Sequence, residues 1–254
     1  VADVVLGDRN LAGVHFTGST GTFDHIWRTV GQNVSNYGAY PRLVGETGGK
    51  DFVFAHPSAN VETLITALIR GAFDFQGQKC SAASRAYIPQ SLFKQVCDGL
   101  QAGVGAIRYG DVTEGTHFMG AVIDARAFDQ CVAFLAHAKE TPGHTLIAGA
   151  APDKSEGYFI PPTVIACDSP TSRLMTEEIF GPILALYAYD DDAIDQVLDI
   201  VDSSTPYALT GAIFAEDPSV MEMLSTRLRF AAGNFYINDK PTGAVVGRQP
   251  FGGS

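Results

Sequence analysis

The sequence is poor in basic charge and in long apolar runs. Lys and Arg total 17 against 28 Asp and Glu, for a formal net charge of −11. Nucleic acids and anionic lipid surfaces are bound chiefly through clusters of Lys and Arg, so we expect neither as a partner. No apolar run approaches the roughly 18 residues of a membrane span, and aspartates occupy the region where a secretory signal would be basic. The sequence therefore indicates a protein that is neither secreted nor inserted in a membrane.

Cysteine is also sparse, and its spacing excludes the usual metal sites. The four cysteines form no Cys-x-x-Cys pair, and no histidine is spaced to complete a zinc site, so no metal is predicted. They are Cys80, Cys97, Cys131 and Cys167. Cysteines this far apart favour reduced thiols, as in a bacterial cytoplasm or a mitochondrial matrix.

What the sequence does contain is alternation of strand and helix patterns. Continuous apolar runs typical of buried strands recur at 13–18, 85–89, 117–123, 144–150, 183–189, 211–216 and 233–238. Amphipathic helix patterns lie between several of these runs, at 23–34, 59–75, 125–139 and 219–228. Asn60 is a candidate helix cap, and the helical spacing makes Cys131 a core residue. The alternation predicts an α/β fold with a mostly parallel, layered sheet.

The ends and one internal segment suggest how the chain is divided. The first residues are strand-like, and the final FGGS stops inside a glycine-rich turn, so we expect a piece of a longer protein. The glycines and charges of 43–51 predict a loop that separates the first strand and helix from the rest.

Two early stretches combine glycines with groups that could bind an anion or accept a proton. HFTGSTG (15–21) runs from a strand into a helix pattern, so its N–H groups would suit a phosphate, although a plain strand-to-helix turn explains the same letters. In GETGGK (45–50), Glu46 precedes two glycines. It is either a general base or an exposed turn residue.

Two later stretches add a thiol and a carboxylate. In FDFQGQKCSAASRAYIP (73–89), Cys80 is either a nucleophile beside N–H groups that form an oxyanion site or a small packing residue. Lys79 would stabilise a thiolate or is simply solvated. In MTEEIFGPILALY (175–187), Glu178 could accept two ribose hydroxyls and Phe180 could pack on a flat ring, or the stretch is only a loop entering a strand.

Taken in order, these stretches resemble the aldehyde dehydrogenase family. The order is Phe-Thr-Gly-Ser, Glu-x-Gly-Gly-Lys, Gly-Gln-x-Cys, Glu-Glu-Ile-Phe-Gly-Pro and Pro-Phe-Gly-Gly, with 34 positions from Glu46 to Cys80 and 98 from Cys80 to Glu178. More narrowly, 75–89 and 234–253 resemble the branch of the family that oxidises L-glutamate γ-semialdehyde to L-glutamate in proline catabolism.

The resemblance implies NAD as cofactor and a small aldehyde as substrate. Cys80 would attack the aldehyde, and Glu46 would activate the water that hydrolyses the resulting thioester. The residues that match the cofactor site are Phe16, Thr17, Gly18, Ser19, Gly48, Glu178 and Phe180. Ser81 and Lys79 would contact the substrate.

The resemblance also implies a domain plan. Residues 1–45 would end a Rossmann-like cofactor domain, 46–236 would form the three-layer catalytic domain, and 237–254 would return toward the cofactor and oligomerisation region. Family members assemble as homodimers or larger homo-oligomers. The upstream oxyanion asparagine, the lysine on the adenosine ribose and the first cofactor-domain strands have no match here, so we expect the chain to be inactive alone.

Three other interpretations remain open from the sequence. A cysteine acyl-transferase or hydrolase would need a histidine partner, and none of the six histidines lies in a recognisable catalytic motif. A non-catalytic scaffold would not need to keep both Cys80 and Glu46. Another aldehyde dehydrogenase, acting on an aliphatic aldehyde or a different semialdehyde, would use the same motifs.

Overall fold

The computed structural model describes residues 2–245 and 247–254. The chain divides into two compact units, one running to Gly48 and the other beginning at Gly49. The domain limits at 45/46 and 236/237 that the family resemblance implies stay predictions. No helix in the described residues is both long and apolar enough to span a membrane.

In its described residues, from Ala2 to Gly48, the first unit has a two-stranded parallel sheet and two α-helices. Its elements are α1 (Ala2–Leu6), β1 (Gly13–Thr17), α2 (Thr20–Gln32), a 3₁₀ turn (Val34–Asn36) and β2 (Arg42–Glu46). Strands β1 and β2 pair in parallel, with Thr17 opposite Glu46. The small core contains Leu6, Ile26 and Val30.

The second unit contains the main sheet. Its helices are α3 (Val61–Phe73), α4 (Gln90–Ala106), α5 (Ala125–Glu140), α6 (Arg173–Thr176), α7 (Ile194–Ser203) and α8 (Pro218–Arg227), with a 3₁₀ turn at Asp74–Gly77. Its strands are β3 (Asp51–Ala55), β4 (Ala83–Pro89), β5 (His144–Ala148), β6 (Thr163–Cys167), β7 (Ile183–Tyr189), β8 (Thr210–Phe214) and β9 (Asn234–Ile237). The strand order is β5-β6-β7-β4-β3-β8-β9, and among the strands that the structure describes in this sheet only β5 pairs antiparallel.

Helices cover both faces of this sheet. Every residue of β3 is buried, and its alternate side chains enter two different cores: Phe52 and Phe54 on one face, Val53 and Ala55 on the other. Helices α3 and α4 pack on the second core, and α5, α7 and α8 on the first. This three-layer, mostly parallel arrangement confirms the predicted fold class, because continuous apolar strands require cover on both faces.

Three sequence-based predictions of local structure are wrong. The run 117–123 is not a strand: Phe118 and Val122 donate their amides to the carbonyls of Arg108 and Tyr158, so the segment has no single strand partner. The first residues form helix α1, whose Leu6 packs against α2. The predicted loop 43–51 contains most of β2 and the start of β3, because pairing with neighbouring strands outweighs the glycine content. The division of the chain does fall within this segment, since one unit ends at Gly48 and the other begins at Gly49.

Candidate functional site

In the second unit, the chemistry-bearing residues gather at the amino ends of the central parallel strands. Gly49 precedes β3, Cys80 precedes β4, Glu178 precedes β7, and Thr210 begins β8. The strands β7-β4-β3-β8 are neighbours in the sheet, so their amino ends share one edge. The sheet thereby brings together residues that are far apart in sequence.

A stretch of backbone in the left-handed conformation connects α3 to Cys80. After α3, the residues Phe75, Gln76 and Gly77 have φ of 52°, 61° and 62°. Non-glycine residues rarely adopt such angles, so the surrounding contacts must stabilise the conformation. A Cβ at Gly77 would lie 2.4 Å from the carbonyl oxygen of Gly181, which makes glycine necessary there.

Glutamine side chains hold this stretch against a neighbouring loop. Gln76 donates Nε2–H to the carbonyl of Ala121 at 2.9 Å, and Gln78 accepts the amide of Ile123 at 2.9 Å. A single turn follows, in which Ala82 donates its amide to the carbonyl of Lys79, and the chain enters β4. Cys80 is half-buried in this turn. The backbone N–H groups that follow Cys80 therefore lie first in this turn and then in strand β4.

Gly49 links the cysteine turn to Glu178. Its amide donates to Glu178 Oε1 at 2.9 Å, and a Cβ at this position would lie 2.3 Å from the carbonyl oxygen of Cys80. Burial raises the pKa of Glu178, while the Gly49 hydrogen bond and the Lys50 charge oppose that effect. The family resemblance pointed to Gly48, whose role stays a prediction, and did not point to Gly49, although both belong to one Gly-Gly doublet. A side chain at position 49 would require the Cys80 carbonyl or Asp51 to move.

Phe180 lies next to Glu178 with its ring accessible. Its φ is 56° and the residue is 44% exposed. Gly181 follows, where a Cβ would lie 2.3 Å from Cys131 Sγ on α5. Cys131 is fully buried, as predicted. A cleft here is lined by residues of all three segments, including Gly49, Lys79 and Phe180.

Ser81 and Lys79, on either side of Cys80, have different partners. Ser81 is buried, and its hydroxyl lies 2.8 Å from the hydroxyl of Thr242. Lys79 forms an ion pair with Asp74 at 3.3 Å and lies over the ring of Phe75, 4.9 Å from its centroid. The Lys79 charge is therefore partly balanced by the turn itself.

Three ionisable side chains next to the site are buried: Lys50, Asp51 and Arg85. Burial, together with the Arg85 charge, lowers the pKa of Lys50 from 10.5 to about 7, and its Nζ donates to Ser84 at 2.7 Å. Burial raises the pKa of Asp51 from 3.8 to about 7, although Oδ1 accepts the Thr210 amide at 2.7 Å. These charges hold the first residues of β3, β4 and β8 together.

The first unit contains the remaining predicted residues. Phe16 and Thr17 end β1, Gly18 follows, and Ser19 caps α2 by accepting the amide of Thr22. The Gly18 amide donates to the carbonyl of Glu46, at the end of β2. Gly48 donates its amide to Thr20 Oγ1 at 3.4 Å. Within this unit, the structure brings the 16–19 turn, Glu46 and Gly48 together.

Comparison with known proteins identifies similar sequences and structures. The model of the aldehyde dehydrogenase family matches residues 1–254. The chain is 48% identical to the mitochondrial Δ1-pyrroline-5-carboxylate dehydrogenase of Dictyostelium discoideum, covering 100% of this chain and 46% of that protein. The mitochondrial enzyme of Homo sapiens is 47% identical, over 99% of this chain and 45% of that protein.

Solved structures agree with this relationship. The NAD-bound Δ-pyrroline-5-carboxylate dehydrogenase of Mycobacterium tuberculosis matches with a TM-score of 0.93 and 54% identity, over 99% of this chain and 46% of that chain. The NAD-bound 1-pyrroline-5-carboxylate dehydrogenase from Thermus has a TM-score of 0.90 and 30% identity, over 100% of this chain and 48% of that chain. The chain thus spans about half the length of these relatives.

Proposed function

Because this chain belongs to the aldehyde dehydrogenase family, we propose that the protein carrying it oxidises L-glutamate γ-semialdehyde to L-glutamate with NAD⁺. The observation that carries the choice of substrate is the 54% identity to the Mycobacterium tuberculosis enzyme over 99% of this chain. The geometry around Cys80 supports the reaction type, since Cys80 is half-buried, its carbonyl oxygen packs against Gly49, and the Gly49 amide holds the carboxylate of Glu178, the residue that would bind the cofactor ribose.

In the proposed reaction, Cys80 is the nucleophile. Its sulfur adds to the aldehyde carbon to give a thiohemiacetal, and loss of hydride from that carbon leaves a thioester. The amide of Cys80 stabilises the oxyanion, and Glu46 takes a proton from the water that hydrolyses the thioester. Hydrolysis releases glutamate and restores the thiol.

The residues of this chain fit a nicotinamide cofactor, which when bound would accept the hydride. Glu178 would accept hydrogen bonds from the ribose hydroxyls, and the exposed ring of Phe180 would pack beside the nicotinamide. Gly49 has no side chain, so its backbone packs closely against the Cys80 carbonyl while its amide holds Glu178. In the first unit, Phe16, Thr17, Gly18, Ser19 and Gly48 would contact the diphosphate side and the nicotinamide.

The proposal extends to the substrate contacts, the assembly and the compartment. Ser81 would donate a hydrogen bond to the substrate carboxylate, with Lys79 nearby. We expect a homo-oligomer, as in the family. The Dictyostelium and human relatives are named mitochondrial, and we propose the mitochondrial matrix for a eukaryotic source and the cytoplasm for a bacterial one.

Replacement of Cys80 tests the proposal in the protein that carries this chain. Wild type should form NADH from glutamate γ-semialdehyde, measured by absorbance, and faster than from acetaldehyde or succinate semialdehyde. Cys80→Ala should abolish NADH formation because no other group would form the thioester. Cys97→Ala, which changes a half-buried cysteine on α4, is the matched control and should keep wild-type turnover.

Each outcome of this experiment is decisive for one part of the proposal. Turnover by Cys80→Ala would show that Cys80 is a packing residue. Faster oxidation of acetaldehyde or succinate semialdehyde would assign the protein to another substrate within the family.

A further inference from the structure

A buried pair of hydroxyl groups lies next to the nucleophile. Ser81 Oγ and Thr242 Oγ1 are 2.8 Å apart, although the two residues are 161 positions apart in sequence. Ser81 is 8% exposed and Thr242 is 3% exposed. At this depth a hydroxyl depends on its partner for orientation, because little water is available to satisfy it.

The fold holds this pair from both sides. Gly71 on α3 packs against both segments: a Cβ there would lie 3.1 Å from Ala83 Cβ and 3.3 Å from Lys240 Cβ. The missing side chain lets the start of β4 and the segment before Thr242 approach the same helix. The Thr210 hydroxyl lies within 3.5 Å of the Ser81 carbonyl, to which it donates.

The direction of the hydrogen bond decides what the pair can do. Each hydroxyl has one proton and can accept hydrogen bonds, whereas a carboxylate only accepts. If Thr242 donates to Ser81, the Ser81 proton is left for a bound carboxylate. The two successive hydrogen bonds then strengthen each other in the dry surroundings.

We propose that Thr242 is a positioning residue that sets the specificity of the site for a carboxylate-bearing aldehyde, by donating to Ser81 and orienting its proton toward that carboxylate. The inference rests on the proposed function, which assigns Ser81 to the substrate carboxylate. It adds Thr242, which lies outside the five family motifs but within 234–253, one of the two stretches that resemble the semialdehyde-oxidising branch.

Variants of Thr242 in the protein that carries this chain test the inference. Thr242→Val keeps the shape and removes the hydroxyl, and should lower kcat/KM for glutamate γ-semialdehyde about tenfold, which corresponds to about 1.4 kcal/mol. Most of this loss should come from a higher KM, with little change in kcat. Propionaldehyde has no carboxylate, so its kcat/KM should change less than about twofold. Thr242→Ser keeps the hydroxyl and should restore the ratio between the two substrates.

A second measurement does not depend on turnover. The affinity for L-glutamate, which carries the same carboxylate, should fall about tenfold in Thr242→Val when measured by titration calorimetry. The double variant Ser81→Ala with Thr242→Val should bind no more weakly than Ser81→Ala, because Thr242 acts through Ser81. If Thr242→Val does not fold, Thr242→Ala takes its place with the same expectations.

The outcomes separate this inference from the proposed function. Equal losses for both aldehydes, or an unchanged preference for the semialdehyde, would overturn the role of Thr242 while leaving the proposed function intact. A wild-type protein that oxidises propionaldehyde but neither oxidises the semialdehyde nor binds glutamate would overturn both.

Discussion

At the scale of single residues, Gly49 is restricted by two neighbours at once. A Cβ on Gly49 would lie 2.3 Å from the Cys80 carbonyl oxygen and 2.6 Å from Asp51 Oδ2. Gly49→Ala must therefore move the cysteine turn or the start of β3. We expect a loss of about 1–3 kcal/mol in the free energy of unfolding, as for other overpacked sites. Urea denaturation measures this, and NADH formation should fall with it.

Gly105 is the matched control for Gly49. No atom lies within 4 Å of a Cβ built on Gly105, which is in helix α4. Gly105→Ala should raise the free energy of unfolding by up to about 1 kcal/mol, since alanine favours the helix, and should leave activity unchanged. Full activity and stability in Gly49→Ala would show that the turn adapts to the side chain, against the role given to Gly49.

The sequence predicted some of these residues, and it is clear why it missed others. Cys80 and Glu178 stand in recognisable motifs. Gly49 and Thr242 contact partners 129 and 161 positions away, Glu178 and Ser81 respectively, and no local pattern encodes such pairs. The left-handed angle of Gln76 is imposed by contacts with another loop.

At the scale of elements, Arg85 joins β4 to β3 and α7. Its buried guanidinium donates to the carbonyls of Lys50 and Val201 and to the hydroxyls of Tyr87 and Ser204. Arg85→Met would leave these acceptors buried without a donor, so we expect a loss of about 3 kcal/mol or more in the free energy of unfolding. Urea denaturation followed by circular dichroism would measure it.

Two further variants show whether the geometry of Arg85 is responsible. Arg85→Lys should recover only part of the stability, because an ammonium cannot reproduce the planar fork of a guanidinium. Arg126→Met changes an exposed arginine on α5 and should alter the free energy of unfolding by less than about 0.5 kcal/mol. A loss in Arg85→Met no larger than in Arg126→Met would contradict the structural role of these hydrogen bonds.

Several elements with strong periodicity were predicted, whereas β3, β6, α4 and α7 were not. Runs such as 183–189 were identified as strands because their apolar residues are continuous, and the structure confirms β7 there. Helix α4 contains Gly99 and Gly103, which disfavour a helix. In the structure those glycines let Ile65 and Ile69 of α3 approach closely, so tertiary packing outweighs propensity.

At the scale of the whole molecule, the order of the motifs was more informative than any one of them. Each motif alone fits an ordinary turn, but five in family order over the chain indicate one common fold. The family match over residues 1–254 and the three-layer sheet confirm that expectation. The local errors, such as 117–123, did not affect it, because the fold depends on the buried strands.

The two neighbouring buried charges should make stability depend on pH in a specific way. For Asp51, the pKa is raised from 3.8 to about 7, so its contribution to the free energy of unfolding falls as pH rises between those values. For Lys50, the pKa is lowered from 10.5 to about 7, so between pH 7 and 10.5 the unfolded state binds more protons and stability rises with pH. Together, these two contributions have a minimum near pH 7.

The variant Lys50→Met tests the part of this pH dependence above pH 7. The wild-type free energy of unfolding should gain up to about 1.4 kcal/mol per pH unit from Lys50 above pH 7, and Lys50→Met should lack that gain. Loss of the Lys50–Ser84 hydrogen bond changes the variant's free energy of unfolding by the same amount at each pH, so it does not alter the slope. Exposed Lys139→Met should keep the wild-type slope. Urea midpoints from pH 7 to 9.5 would measure the slopes, and parallel curves for wild type and Lys50→Met would mean that Lys50 keeps its proton in the folded protein.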